Sequence, residues 1–141
     1  MDKNRKRAAG VASTASQLTA WLRTRPNLQV TKPRTATIGT TALPAKVVDI
    51  AISRTAVNEP SDCPVRACVD FLTWPKAGDN VYGLAEPSVL RLYLSDVRYG
   101  GKNHLLAIGI EGQDQADLKQ FLPDAERIVS SADAPVSRAS S

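Results

Sequence analysis

The clearest alternation of apolar and polar positions lies in the second half of the chain. Over residues 90–98, leucines at every second position alternate with Arg, Tyr and Ser, as a half-buried β-strand requires. Residues 103–110 alternate between two mainly apolar sets. Gly100 and Gly101 separate these stretches and can adopt the positive φ angles of a tight turn. The pattern predicts an antiparallel β-hairpin.

Shorter stretches also have strand character. Over residues 46–53, Val48, Ile50 and Ile52 lie on one side of the alternation and more polar residues lie on the other, which is typical of a strand with one buried face. The other candidates are residues 35–39 and 67–73.

The sequence before the strands predicts an amphipathic helix. Thr14 can cap its first turn, and Leu18, Trp21 and Leu22 form an i, i+3, i+4 stripe. Pro26 ends the helix, because the residue before a proline disfavours the helical conformation.

A second helix is predicted near the C-terminus. Asp114 is a candidate N-cap, and Pro123 should either kink the helix or break it into two pieces. The apolar positions at helical spacing are Leu118, Phe121, Leu122, Ala125, Ile128 and Val129.

These elements predict an α+β fold with a mainly antiparallel sheet of five or six strands. We expect the N-terminal and C-terminal helices to pack on one face of the sheet, with Trp21 and Phe121 among the most buried side chains. We expect a disordered basic tail at residues 1–12, a single α+β domain over 13–133 and a disordered tail at 134–141.

Positive charge is concentrated in the first quarter of the chain. Residues 1–34 carry a net charge of +7 and residues 35–141 a net charge of −3, which together give the overall +4. A basic run can bind phosphate groups or anionic lipid headgroups, or it can be a solvated tail or a juxtamembrane segment beside a missing membrane span. We favour the tail, solvated or juxtamembrane, because no nucleic-acid-binding motif accompanies the run.

Few residues offer catalytic chemistry. His104 is the only histidine, the carboxylates are scattered, and phosphate-binding and nucleophile motifs are missing. Cys63 and Cys68, the only cysteines, lack the spacing of thioredoxin-type sites. From the residues alone, a short structural disulfide and two buried thiols are equally compatible with this spacing, and a Cys–His dyad with His104 is the least favoured reading.

No stretch approaches the roughly 18 apolar residues that a membrane span requires, and the basic start lacks the apolar core of a signal peptide. We therefore expect a chain that does not export itself, unless it is one part of a longer exported protein.

Five segments resemble a family of small extracytoplasmic domains found in actinobacterial membrane-anchored proteins and lipoproteins. The segments are WLRTRPNLQVTKP (21–33), TIGTTALPAKVVDI (37–50), CPVRACV (63–69), RLYLSDV (91–97) and AERIVSS (125–131). The chain departs from the family pattern at residues 39–43, where GTTAL replaces the usual GGL. The resemblance implies an oxidising compartment, a Cys63–Cys68 disulfide and a non-enzymatic role, and it carries over no functional residue.

The sequence therefore predicts a non-enzymatic extracytoplasmic module, without metal or cofactor, that is secreted or anchored through a missing segment and binds a protein or small ligand. Recognition residues are expected on loops, with Trp74 either an interface anchor or a cap on the core. The candidate binding surface consists of Arg54, Asn58, Asp62, Arg66, Trp74, Lys76 and Asp79. The alternative is a cytoplasmic nucleic-acid or anion binder that uses residues 5–7 with Arg23 and Arg25.

Overall fold

The computed structural model describes residue 11 and residues 13–57, 63–73, 81–133 and 135–139. Helix α1 (Ala15–Leu22) precedes the strands and helix α2 (Gln115–Ser131) follows most of them. The strands are β1 (Leu28–Val30), β2 (Arg34–Ile38), β3 (Leu43–Ile52), β4 (Cys68–Thr73), β5 (Val81–Ala85), β6 (Val89–Tyr99), β7 (Lys102–Gly112) and β8 (Ser137–Arg138).

Six strands form the main sheet, with the order β1-β3-β6-β7. Strands β1 and β2 pair with successive parts of β3, and β8 pairs with the end of β6. Strands β4 and β5 form a separate two-stranded sheet. Every pairing is antiparallel, which confirms the predicted α+β class with its N-terminal and C-terminal helices.

The β6–β7 hairpin also confirms the sequence pattern. Its register runs from Tyr99 opposite Lys102 to Val89 opposite Gly112. Gly100 and Gly101 have φ angles of 56° and 78°, so the turn uses the left-handed conformation that glycine adopts without steric cost.

The prediction that both helices pack on one face is wrong. Helix α1 and the β4–β5 sheet cover one face of the main sheet, which we call the α1 face. Helix α2 covers the opposite face, the α2 face. The α1-face core includes Val48, Ile50, Leu90, Leu92, Leu94 and Leu84; the α2-face core includes Ala45, Val47, Tyr93, Val97, Ile110, Leu118, Ala125 and Val129.

The physical reason is that β3 and β6 are buried on both faces. Val48 pairs with Leu92 on the α1 face, and the neighbouring Val47 pairs with Tyr93 on the α2 face. Each face therefore needs its own cover, because an apolar sheet face left in water is costly.

Trp21 and Phe121, which were predicted to anchor the core, are less buried than predicted. Trp21 is only partly buried, at the margin of the α1-face core, and the Phe121 side chain is 46% exposed. The prediction that these two are among the most buried side chains is therefore wrong.

Side-chain caps fix both helix starts. The Thr14 side chain accepts a hydrogen bond from the Gln17 backbone N–H, and Asp114 accepts one from Asp117 at 2.8 Å. The Ala15 N–H also donates to Asp96 Oδ1 at 2.8 Å, which ties α1 to β6. Helix α2 continues through Pro123, so of the two predicted alternatives, a kink or a break, the break does not occur.

The predicted C-terminal tail contains a short strand. Arg138 of β8 pairs with Val97 of β6, and the Ala139 N–H donates to the Asp96 carbonyl at 3.1 Å. They can pair because β6 extends past β3 and offers them an open edge. The predicted disorder of residues 134–141 stays a prediction. The basic tail predicted at residues 1–12 lies, apart from residue 11, outside the described residues.

No helix within the described ranges is long and apolar enough to cross a membrane.

Candidate binding site at the disulfide corner

Cys63 and Cys68 are joined by a disulfide, with their Cα atoms 5.7 Å apart. Cys68 begins β4, and the carbonyl of the preceding Ala67 accepts a hydrogen bond from the Glu86 N–H at 3.0 Å. The disulfide therefore closes a short loop beside the connection from β5 to β6. Both sulfurs are occupied by this bond, so the Cys–His dyad reading is wrong.

His104 lies at the other end of the main sheet. It pairs in register with Val97, near the hairpin turn, whereas the disulfide lies near the start of β6. Its ring packs edge-on against Tyr99, with centroids 6.3 Å apart. His104 is thus part of the hairpin tip and has no role at the cysteines.

The Arg66 side chain connects the disulfide loop to two other segments. Its Nε donates to Glu86 Oε2, its Nη1 to the Arg54 carbonyl at 3.2 Å, and its Nη2 to the Ser53 carbonyl at 3.3 Å. The hydrogen bond with Glu86 raises the pKa of Arg66 above its ordinary value. One guanidinium therefore holds together the end of β3, the disulfide loop and the β5–β6 connection.

Asn27 holds the segment that follows β3 through two hydrogen bonds. Its carbonyl accepts from the Ser53 N–H at 3.0 Å, and its side-chain Oδ1 accepts from the Val57 N–H at 3.4 Å. We call residues 53–57, 63–67 and 86 the disulfide corner. Ala56 and Ala67 are its buried floor, packed into the α1-face core.

Two valines of the disulfide corner face the solvent. Val57 is 63% exposed and Val65 is 41% exposed. Val57 follows a backbone segment that Arg66 and Asn27 hold by hydrogen bonds, and Val65 lies in the loop that the Cys63–Cys68 disulfide closes. The arrangement presents apolar side chains from a fixed backbone, in a corner that also holds the charged groups of Arg66 and Glu86.

The structure brings two of the predicted binding residues together. Arg54 and Arg66 meet in the corner, through the Arg54 carbonyl. The remaining candidates lie outside the described residues and stay predictions: Asn58, Asp62, Trp74, Lys76 and Asp79. Sequence reasoning missed Val57 and Val65, since an isolated valine in a polar segment gives no periodic signal of exposure.

A second charged cluster lies beneath α2. Arg91 binds Asp49 with two hydrogen bonds, at 2.7 and 2.9 Å, and its Nη1 donates to Glu126 at 3.2 Å. The hydrogen bond with Asp49 is the main cause that raises the pKa of Arg91 above its ordinary value. Since the guanidinium is enclosed and paired, this cluster fastens α2 to the sheet and offers no open binding group.

A cavity of about 530 Å³ opens at the opposite end of the sheet from the disulfide corner, beside the start of α1. Its lining includes Lys46, Arg138 and Asp96, and Asp96 is already bound to the Ala15 N–H. Charges of both signs line the cavity, so it selects no single class of ligand. Across the described ranges, no cluster of three or more His, Cys, Asp or Glu side chains could hold a metal ion.

Reduction of the disulfide should loosen the corner without unfolding the sheet. Closing so short a loop contributes about 2 kcal/mol in the chain-entropy model, and the Arg66 contacts remain after reduction. Hydrogen exchange should quicken at residues 63–67 and stay unchanged in β6 and β7, with a matched Cys63→Ser/Cys68→Ser variant behaving like the reduced protein. Global unfolding on reduction would contradict this expectation.

No protein-family model matches the sequence, and no curated protein or solved structure matches it either.

Proposed function

We propose that this chain is a non-enzymatic extracytoplasmic module that binds a protein partner through the disulfide corner. The observation that carries the proposal is the pair of exposed valines on a backbone held by a disulfide, Arg66 and Asn27. A disulfide persists in oxidising compartments and is rare in the cytoplasm, and the resemblance to exported actinobacterial domains supports the same location.

A fixed corner suits recognition because binding a rigid surface loses little conformational entropy. Apolar side chains beside hydrogen-bonding and charged groups match the composition of protein interfaces, whose centres are apolar and whose rims are polar. The disulfide and Arg66 would then serve binding by holding Val57 and Val65 in place, more than they serve global stability.

Site-specific photocrosslinking tests the proposal in the cells that make the protein. A photoreactive amino acid at Val57 or Val65 should capture one defined partner, while the same amino acid at Ile128 should not. Ile128 is a matched control, because it is 64% exposed against 63% for Val57 and lies on α2, away from the corner. Equal capture from all three positions, or none from the corner, would overturn the proposal.

The compartment is tested separately by trapping thiols during cell lysis with an alkylating reagent. Protein in an oxidising compartment should keep Cys63 and Cys68 unmodified until it is reduced. Complete alkylation without reductant would place the protein in a reducing compartment and overturn the extracytoplasmic part alone.

Arg66→Ala provides a partner-binding variant with an intact disulfide. Removing the guanidinium frees the Ser53 and Arg54 carbonyls from their side-chain donor, and we expect crosslinking from Val57 to fall severalfold while the fold persists. Arg127→Ala is the control, because its exposed side chain lies on α2, away from the corner.

The nucleic-acid alternative has its own test. The Arg25 guanidinium lies 4.5 Å from the centroid of the Trp21 ring, so one proposed phosphate-binding group already has an aromatic partner. Residues 5–7 lie outside the described residues. Binding to a DNA duplex that weakens steeply with salt would support the alternative, and salt-independent or undetectable binding would exclude it.

A further inference from the structure

Strand β7 forms an open edge of the main sheet. It is 11 residues long, and β6 is its one strand partner in the described part of the chain. Its backbone groups that point away from β6 have no backbone hydrogen bond to any described residue. Such a row of unpaired N–H and C=O groups is a template for another strand.

This edge lacks the features that normally block pairing. Proteins protect open edges with prolines, bulges or inward-pointing charges. The register of β7 with β6 continues without a shift, and no Lys, Arg, Asp, Glu or Pro occurs between Lys102 and Glu111. The opposite side of the sheet is different, since β1 and β2 cover the outer edge of β3.

We propose that β7 pairs antiparallel with β7 of a second copy, about a two-fold axis through Ala107, so that the main sheet continues across a homodimer. A two-fold axis normal to the sheet keeps each side chain on its own face, so each residue of β7 must pair with a partner residue that points to the same face. Because side chains alternate between the faces, this holds only when the axis passes between two copies of the same residue. Ala107 is the midpoint of Lys102–Gly112, so an axis at Ala107 lets all of β7 pair.

The register is chemically self-complementary on both faces. On the α2 face, Leu106 lies opposite Ile108 of the partner subunit, and both are partly buried apolar residues packed against the core. On the α1 face, Asn103 lies opposite Glu111 of the partner subunit, which allows an amide–carboxylate hydrogen bond. At the axis, the small exposed Ala107 side chains allow the two backbones to approach without steric conflict.

The surface of α2 also supports a second copy of this chain as the partner of the β7 edge. Phe121 and Ile128 are exposed and, at 100° per residue, share one flank of the helix. The other flank carries Glu126, which reaches Arg91 on β6. Helix α2 begins against β7, where Leu118 packs on the Gly112 backbone, and ends beside β2, where the Val129 carbonyl accepts from the Gly39 N–H at 2.9 Å. Phe121 therefore lies nearer the open edge than Ile128. A two-fold axis places both α2 helices on the same face of the continuous sheet, where Phe121 would become covered.

Sedimentation equilibrium of the full chain tests the proposal. The protein should be dimeric at micromolar concentration, and Ala107→Lys should weaken the dimer by about a hundredfold or more, because two ammonium groups would meet at the axis. Ala107→Ser is the conservative variant and Ala20→Lys the control on an exposed face of α1; both should remain dimeric. A monomeric wild-type protein, or a dimer that persists in Ala107→Lys, would overturn the proposal.

A cysteine at the axis reports the register directly. Opposed residues in an antiparallel pair have Cα atoms about 4.5–5.5 Å apart, a distance that a disulfide spans. Ala107→Cys should therefore form an intermolecular disulfide under mild oxidation, while Lys119→Cys on exposed α2 should not. Equal crosslinking of the two variants would contradict the register.

Discussion

On the monomeric Ala107→Lys background, Leu118→Ala should lower the free energy of unfolding by about 2–5 kcal/mol, whereas Phe121→Ala, one turn away on α2, should lower it by less than about 1 kcal/mol. Leu118 is 0% exposed in the α2-face core, and Phe121 is 46% exposed. Truncating the leucine leaves a cavity between helix and sheet, while truncating the phenylalanine removes surface that water already contacts.

The position of Leu118 makes the cavity left by Leu118→Ala hard to close. A Cβ atom at Gly112 would lie 2.5 Å from the Leu118 backbone nitrogen, so the first turn of α2 already rests on the β7 backbone. Because the backbone cannot move closer, the cavity left by Leu118→Ala stays open, which increases its cost.

Chemical denaturation of the two variants measures the difference. Leu122→Ala, at a partly buried position of the same helix, should fall between them and serves as an internal control. A larger loss for Phe121→Ala than for Leu118→Ala on this background would mean that α2 presents a different side to the sheet. In the wild-type background, a larger cost of Phe121→Ala than in the monomer would agree with coverage of Phe121 in the proposed dimer.

The hairpin and the helix caps were predictable because each depends on a few neighbouring residues. Gly100 and Gly101 determine the turn by backbone geometry, and the alternation beside them determines the strands. Thr14 and Asp114 likewise bind N–H groups within three residues. The disulfide was implied by a family resemblance and not by the spacing of Cys63 and Cys68.

The placement of the helices on opposite faces was not predictable from the same patterns. Val48, Ile50 and Ile52 marked one face of β3, but Val47 on the other face is also buried. Alternation indicates that two faces differ. It does not indicate which helix covers each face, because that depends on contacts between segments that are distant in sequence.

The burial of α2 shows a second limit of prediction from the sequence. Six apolar residues between Leu118 and Val129 span a wider arc than the sheet can cover. Contact with the sheet buries Leu118, Ala125 and Val129. It leaves Phe121 and Ile128 exposed. The close approach at Gly112 helps to set this rotation, and it is visible only in three dimensions.

The sequence indicated a region for the candidate site and two residues of the disulfide corner. Loops on a rigid sheet are common recognition surfaces, and Arg54 and Arg66 lie together in this corner, whose binding role stays a prediction. Val57 and Val65 were not identified, because their exposure depends on Arg66 and Asn27 holding segments that are distant in sequence.

Asp49→Ala should lower the free energy of unfolding by about 3–5 kcal/mol, because it leaves the Arg91 guanidinium buried without its main partner. The Arg91 side chain is 9% exposed, and Asp49 supplies two of its three carboxylate contacts. Glu126 cannot compensate fully, since it lies on the exposed side of α2 and makes a single contact at 3.2 Å.

Arg34→Ala is the matched control for Asp49→Ala. Arg34 also approaches Asp49, with 3.7 Å between Nη2 and Oδ2, but its side chain is mostly exposed. A solvent-exposed ion pair contributes about 0–1 kcal/mol, so Arg34→Ala should have little effect. Comparable losses for Arg34→Ala and Asp49→Ala would indicate that the cluster is solvated.

The double variant Asp49→Leu/Arg91→Leu separates the contribution of the intact ion pair to the free energy of unfolding from the penalty for leaving Arg91 unpaired. Removing both charges leaves apolar side chains beneath α2, and well-packed apolar replacements of buried ion pairs are often neutral or stabilising. We therefore expect the double variant to unfold at higher denaturant concentration than Asp49→Ala. If both proteins were equally unstable, the ion pair itself, and not the unpaired guanidinium, would account for the loss.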